Sequence, residues 1–123
     1  MSYEKLINTY CAAWSESDPE RRRALLSQVW AEDATYTDPT VHAVGLDSLL
    51  DHIAAVLTRR PGATVQRTSA IDTHHTVARF AWHVVLADGS ALPEGLDLVE
   101  FSEDGRIRRI VGFFGELGPI RQA

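Results

Sequence analysis

The apolar positions change period halfway along the chain. In the first part Tyr3, Leu6, Ile7, Tyr10, Cys11 and Trp14 recur at three- and four-residue steps, the spacing of one helix stripe. "SDPE" then predicts a second helix, with Asp18 as N-cap, Pro19 at the first helical position and Glu20 near the positive end of the dipole. This helix is expected to turn Ala24, Leu25, Leu26, Val29 and Trp30 inward and to leave Arg21–Arg22–Arg23 as a solvated face. A short strand follows at Ala34–Thr37. A third helix is expected next, capped by Asp47, with Leu49, Leu50, Ile53, Val56 and Leu57 on its apolar side. Arg59 and Arg60 suit its negative C-terminal end, and Pro61–Gly62 stops it.

The later part has period two. Ala63–Ile71, Thr76–Ala87, Gly95–Ser102 and Arg106–Gly115 are rich in β-branched and aromatic residues, with turn signals "DTHH", "ADGS" and "EDGR" between them. Three helices followed by an antiparallel meander make an α+β fold. A strongly bent sheet wrapped over those helices leaves a pocket between the layers.

Alternation sorts each strand into faces. Phe80, Trp82, Val84 and Leu86 share one side, opposite Val77, Arg79, Ala81 and His83. Asp97, Val99 and Phe101 share a side opposite Leu96, Leu98 and Glu100, and Ile110, Gly112 and Phe114 lie opposite Val111, Phe113 and Gly115. Asp97 breaks the pattern, because a carboxylate among apolar groups must be paired or stay protonated. The other reading places Asp97 at the start of its strand, at the rim and solvated.

Composition narrows the partners. The 123 residues are enough for one domain with a core and a modest cavity. A formal net charge of −5 argues against a nucleic-acid phosphate track and an anionic membrane surface. The single cysteine, Cys11, cannot form an internal disulfide and reads as a small buried hydrophobe. No apolar run is long enough to span a bilayer, and "MSYEKLINTY" lacks the pattern of a signal peptide, so a cytoplasmic location is expected. His74 and His75 would point to opposite sides of a strand, and no spacing suggests zinc or iron, so no metal is expected.

"ATYTDP" poses the chemical question. Its β-run puts Tyr36 and Asp38 on the same side, and Pro39 biases Asp38 toward extended geometry. Asp38 is then either a turn former or a carboxylate held in place to move a proton.

With these residues in view, the sequence resembles the nuclear transport factor 2-like superfamily, and within it the SnoaL-like and ketosteroid isomerase-like proteins. The parts that carry the likeness are "NTYCAAWSESD", "WAEDATYTDP", "GLDSLLDHIAAVL" and "GLDLVEFSEDGRIRRIVGFFGEL". The resemblance covers almost the whole chain and implies a single SnoaL-like domain over residues 1–123. Its implied fold is a cone-shaped α+β barrel, three helices packed on a bent, mixed but mainly antiparallel sheet. It also implies cofactor-independent acid/base chemistry on a small hydrophobic carbonyl compound, by isomerisation or aldol cyclisation. In that scheme Asp38 is the base, Tyr10 and Asp97 donate hydrogen bonds to the oxyanion, and His52 is an auxiliary group. Trp14, Tyr36, Phe80, Trp82, Val99, Ile110 and Phe114 would line the substrate pocket.

His52 and Ile53 replace the aromatic pair expected on the third helix, and Trp82 is bulky. These departures favour a ligand smaller or more polar than a steroid. Arg79 should point away from the cavity, which weakens an epoxide-hydrolase-like reading. A homodimer through the outer sheet face is implied as well, with Leu96, Leu98, Val111 and Phe113 at its centre. A non-catalytic module for ligand binding or dimerisation remains the alternative.

Overall fold

The computed structural model describes residues 2–121, so the outermost residues of the expected domain, 1 and 122–123, lie outside it. Helix α1, Tyr3–Ser15, starts where the Ser2 hydroxyl accepts a hydrogen bond from Lys5 N at 3.2 Å, and it buries the expected stripe from Leu6 to Trp14. Helix α2, Pro19–Val29, starts at Asp18, whose carboxylate accepts from Glu20 N at 3.3 Å. Leu26 and Val29 face the core, whereas Ala24 is exposed, contrary to the expected pattern.

Arg22 corrects the sequence reading. It is buried rather than solvated, with Nε donating to Glu16 O at 3.0 Å and a terminal nitrogen to Ser17 O at 3.3 Å. Those carbonyls close the α1–α2 turn, and helix ends leave such groups in need of donors. Its neighbours Arg21 and Arg23 stay exposed.

Strand β1, Trp30–Asp38, is longer than Ala34–Thr37, because an irregularity between Trp30 and Thr35 lets pairing restart upstream. Trp30 is buried as expected but opens this strand instead of packing from the helix. A tight turn at Pro39–Thr40 leads into β2, Val41–Val44, which pairs antiparallel with β1. Helix α3, Leu46–Arg59, is not capped by Asp47; Gly45 holds the N-cap position at φ 84°, where a side chain would be strained. Asp47 lies in the first turn and pairs with Arg23 at 2.8 Å.

The remaining strands are β3 (Thr64–Arg67), β4 (Asp72–His74), β5 (Val77–Val85), β6 (Gly95–Phe101) and β7 (Ile107–Phe114). Their order is β2-β1-β7-β6-β5-β3, with β4 continuing along the same edge of β5 that β3 occupies. The expected strand at Ala63–Ile71 therefore breaks after Arg67. Among the described residues only β1 and β7 run parallel; every other pair is antiparallel, and the sheet is not closed. The architecture is the expected one: three helices on a curved, mixed, mainly antiparallel sheet. Its inner face buries Phe80, Val99, Phe101 and Ile110 against Leu6, Ile7, Leu49 and Ile53. Among the described residues no helix is long and apolar enough to cross a membrane.

Candidate active site

Strand register sets the floor of the cavity between the layers. Phe80 on β5 pairs with Asp97 on β6, which pairs with Gly112 on β7. The parallel pairing aligns Tyr36 with Ile110 and Thr37 with Val111, so Asp38 comes next, beside Gly112. A Cβ built on Gly112 would sit 2.9 Å from Asp97 Oδ1, 3.6 Å from Asp38 Cβ and 3.8 Å from the Tyr36 hydroxyl. The absent side chain is what lets two carboxyl groups face each other across one strand.

The two carboxyl groups have different surroundings. Asp38 accepts three hydrogen bonds: from the Tyr36 hydroxyl at 2.6 Å, and from Thr40 N and Thr40 Oγ1 at 2.7 Å each. The Thr40 bonds close the Pro39 turn, so Asp38 is a turn former and a cavity residue at once. Asp97 is buried, and among the described residues it accepts one side-chain bond, from the Trp82 indole N–H at 2.9 Å. Burial pushes its pKa up to about 7, with the Trp82 bond pulling down and the Asp38 charge pushing up. One group is thus solvated by donors, while the other is held near neutrality among apolar walls.

Trp82 reaches Asp97 because its cross-strand partner is Gly95. A Cβ there would strike the indole at 2.5 Å, so only glycine lets the ring lie flat over β6. This contact is absent from the sequence reading, which registers Trp82 as a bulky residue lining the pocket and not as a partner of Asp97. The signal present was the glycine two positions before Asp97, on the same face.

His52 projects from α3 toward the same point, with Nε2 3.8 Å from Asp38 Oδ2, longer than a hydrogen bond. Its ring packs edge-on to Trp14 and tilted to Tyr36. Burial lowers its pKa, the Asp38 charge opposes this, and the Arg59 charge adds to it. A neutral imidazole is the outcome favoured near pH 7.

Tyr10 is wholly buried on α1, stacked on Trp30 at 6.0 Å between ring centroids. Burial and the neighbouring Asp97 and Tyr36 raise its pKa well above the ordinary phenol value. Its hydroxyl hydrogen-bonds to neither carboxyl group. Tyr36, expected only as a lining residue, has the phenol closest to the acid pair, and burial pushes its pKa far up too. Cys11 is buried nearby, its thiol pushed up to about 12 by desolvation and by Asp97, which makes it inert.

These residues border a cavity of about 420 Å³, within the size range of small-molecule sites. Tyr10, Asp38, His52 and Asp97 all line it, as do Trp14, Tyr36, Phe80, Trp82 and Phe114. Val99 and Ile110 do not; they are sealed in the core beneath the floor. Strand periodicity gives the correct face for both but not their depth. Val56, Leu57, Arg59, Arg60, Leu92 and Pro93 also border the cavity, at the end of α3 and in the loop before β6, where no strand alternation marks them. Arg79 points outward and pairs with Asp72 at 2.9 Å. Among the described residues no group of three His, Cys, Asp or Glu side chains is placed to hold a metal ion.

Comparison with known proteins gives the lineage. A search among curated proteins finds no match. Among solved structures, a candidate isomerase of the SnoaL-like family from Agrobacterium tumefaciens superposes with a TM-score of 0.87 at 35% identity, over 93% of this chain and 97% of that one. A candidate polyketide cyclase from Sinorhizobium meliloti gives 0.71 at 20% identity, over 88% and 93%. A Catenulispora acidiphila protein with a ketosteroid isomerase-like fold, in complex with trimethylamine, gives 0.73 at 14% identity, over 93% and 88%. The last two share the fold with this chain. The family model for the SnoaL-like domain matches residues 7–110. The chain therefore belongs to the SnoaL-like domain family.

Proposed function

We propose that this protein is a cofactor-independent acid/base enzyme acting on a small hydrophobic carbonyl compound. One observation carries the reading: Asp38 and Asp97 face one apolar cavity across Gly112, in opposed surroundings. With burial pushing Asp97 toward its protonated form beside a hydrogen-bonded Asp38, the pair divides into an acid and a base. Asp38 takes the proton from the carbon α to the carbonyl, and the electron pair of that C–H bond moves to the carbonyl oxygen. Protonated Asp97 and the Tyr10 phenol donate hydrogen bonds to the oxyanion away from competing water, while Tyr36, whose hydroxyl donates to Asp38, orients the base. In isomerisation Asp38 returns the proton at another carbon. In aldol cyclisation the enolate carbon bonds to a second carbonyl, and the resulting alkoxide takes the proton. His52, neutral and 3.8 Å from Asp38, is the auxiliary group that can receive or return it.

The working protein in this proposal is a cytoplasmic homodimer joined through the outer sheet face. Leu96, Leu98 and Phe113 are exposed there as a contiguous cross-strand group.

Deuterium exchange at the α-carbon of β-tetralone, followed by proton NMR, tests the chemistry. Asp38→Asn should abolish the protein-catalysed exchange while the thermal midpoint barely moves; unchanged exchange overturns the proposal. A binding module is the second reading. It is favoured by the way Asp38's three bonds close on its own hairpin, and by the Tyr10 hydroxyl standing apart from both carboxyl groups. That reading predicts tetralone binding with no exchange even in the parent protein.

A further inference from the structure

The outer rim of the cavity differs in charge from its floor. Arg59 and Arg60, at the end of α3, both border the cavity, in a chain whose net charge is −5. Both are exposed. Six other arginines have acidic partners: Arg21 with Asp18, Arg23 with Asp47, Arg67 with Glu4, Arg79 with Asp72, Arg108 and Arg109 with Glu100, while Arg22 and Arg106 donate to backbone carbonyls. Neither Arg59 nor Arg60 has a carboxylate within ion-pair distance among the described residues. Helix polarity alone favours a cation at this end, and Arg59 meets that need. It does not call for a second cation, nor for the placement of both beside an apolar opening.

Arg59 shares a helix face with His52 and Val56, at four- and three-residue steps, and its charge is felt by the His52 ring. The same wall therefore leads from the acid pair, past an apolar stretch, to a guanidinium. At the inner end the Asp38 carboxylate repels an anion, whereas at the rim two guanidinium groups attract one.

We propose that the ligand is amphipathic, with an apolar carbonyl body seated against the acid pair and an anionic head, a carboxylate or a phosphate, held at the rim by Arg59 and Arg60. This rests on the cavity being the substrate site and names the class of substrate it takes. The charge gradient also fixes the orientation: head outward, carbonyl inward. Neutral ketones of the same shape fill the body of the site and leave the rim unused.

Isothermal titration calorimetry with naphthoylpropanoate, its primary amide and the matching phosphonate tests this. In the parent protein the acid should bind about tenfold more tightly than the amide, as a charge-assisted arginine contact at a partly screened site allows. That ratio should shrink as salt is raised. It should fall toward one in Arg59→Ala/Arg60→Ala, whose fold is checked by circular dichroism. Whichever of carboxylate and phosphonate binds more tightly assigns the head. Equal affinity for acid and amide, a ratio that survives the double substitution, or no binding of either compound overturns the proposal. Exchange of α-protons in the neutral amide is measured in parallel and depends on Asp38, not on the rim. In the parent protein, equal binding of acid and amide with exchange intact thus refutes the anionic head alone, and an acid preference without exchange refutes the chemistry alone.

Discussion

On β6, Asp97, Val99 and Phe101 face the helices, while Leu96, Leu98 and Glu100 face away. The inner row holds a carboxyl group at 4% exposure, and the outer row leaves leucines at 37% and 42%. Each row contains the residue that folding alone would place in the other. A buried carboxyl group costs free energy unless it is protonated or bonded, and an exposed leucine forgoes the gain of burial. Folding of the isolated chain gains from neither arrangement, so both point to something beyond it. In the proposed reading, inside that is a ligand able to use a neutral acid, and outside it is the partner surface that covers the leucines.

Removing the proposed base has the largest expected effect. Asp38→Asn should cut α-proton exchange by about 10²–10⁴-fold, the usual contribution of general base catalysis, read from NMR exchange rates. Stability carries the next largest effect, through Asp97. Its folded pKa of about 7 lies above the ordinary value near 4 of an unfolded chain. Below pH ~4 both states hold the proton. As pH rises from about 4 to about 7, the unfolded chain releases it first, so stability falls, by about 4 kcal/mol at most. Urea titrations across that range should show the decline in the parent protein and its absence in Asp97→Asn.

Gly112→Ala should cost about 1–3 kcal/mol in thermal unfolding, because the new methyl group collides with Asp97 Oδ1. It should also weaken exchange, by separating Asp97 from Trp82. Leu98→Glu should change monomer stability by no more than about 0.5 kcal/mol, as exposed positions do. Sedimentation should nevertheless show dimer giving way to monomer, with exchange per protomer intact. A parent protein that sediments as a monomer would remove the outer half of the comparison.

Local rules account for what the sequence disclosed. The α1 stripe, the Asp18–Pro19 start of α2 and the inward side of β6 follow from periods of 3.6 and two, which act over a few residues. Arg22 escaped notice because its partners are carbonyls of a turn, which leave no mark in side-chain pattern. Strand β2 escaped because four residues after a tight turn are too few to show alternation. Within the site, the faces of Asp38, Asp97 and Phe80 were legible. The Trp82–Asp97 bond was not, since it depends on which strands lie side by side, and alternation placed Tyr36 on the side of Asp38 without showing that its hydroxyl bonds to the carboxylate.

The lone parallel pair, β1 beside β7, has a consequence for the order of events during synthesis. Every antiparallel contact except that of β7 can form as the chain emerges, but the β1–β2 hairpin gains its other neighbour only with the last strand. Contacts so distant along the chain form late and slowly. A nascent chain that ends before Ile107 therefore carries both aspartates, both phenols and His52, yet lacks the strand that sets the acids face to face. The proposed site should therefore arrive abruptly with β7, so a translation stall before that strand yields a chain with all the groups of that proposal and no site to hold them.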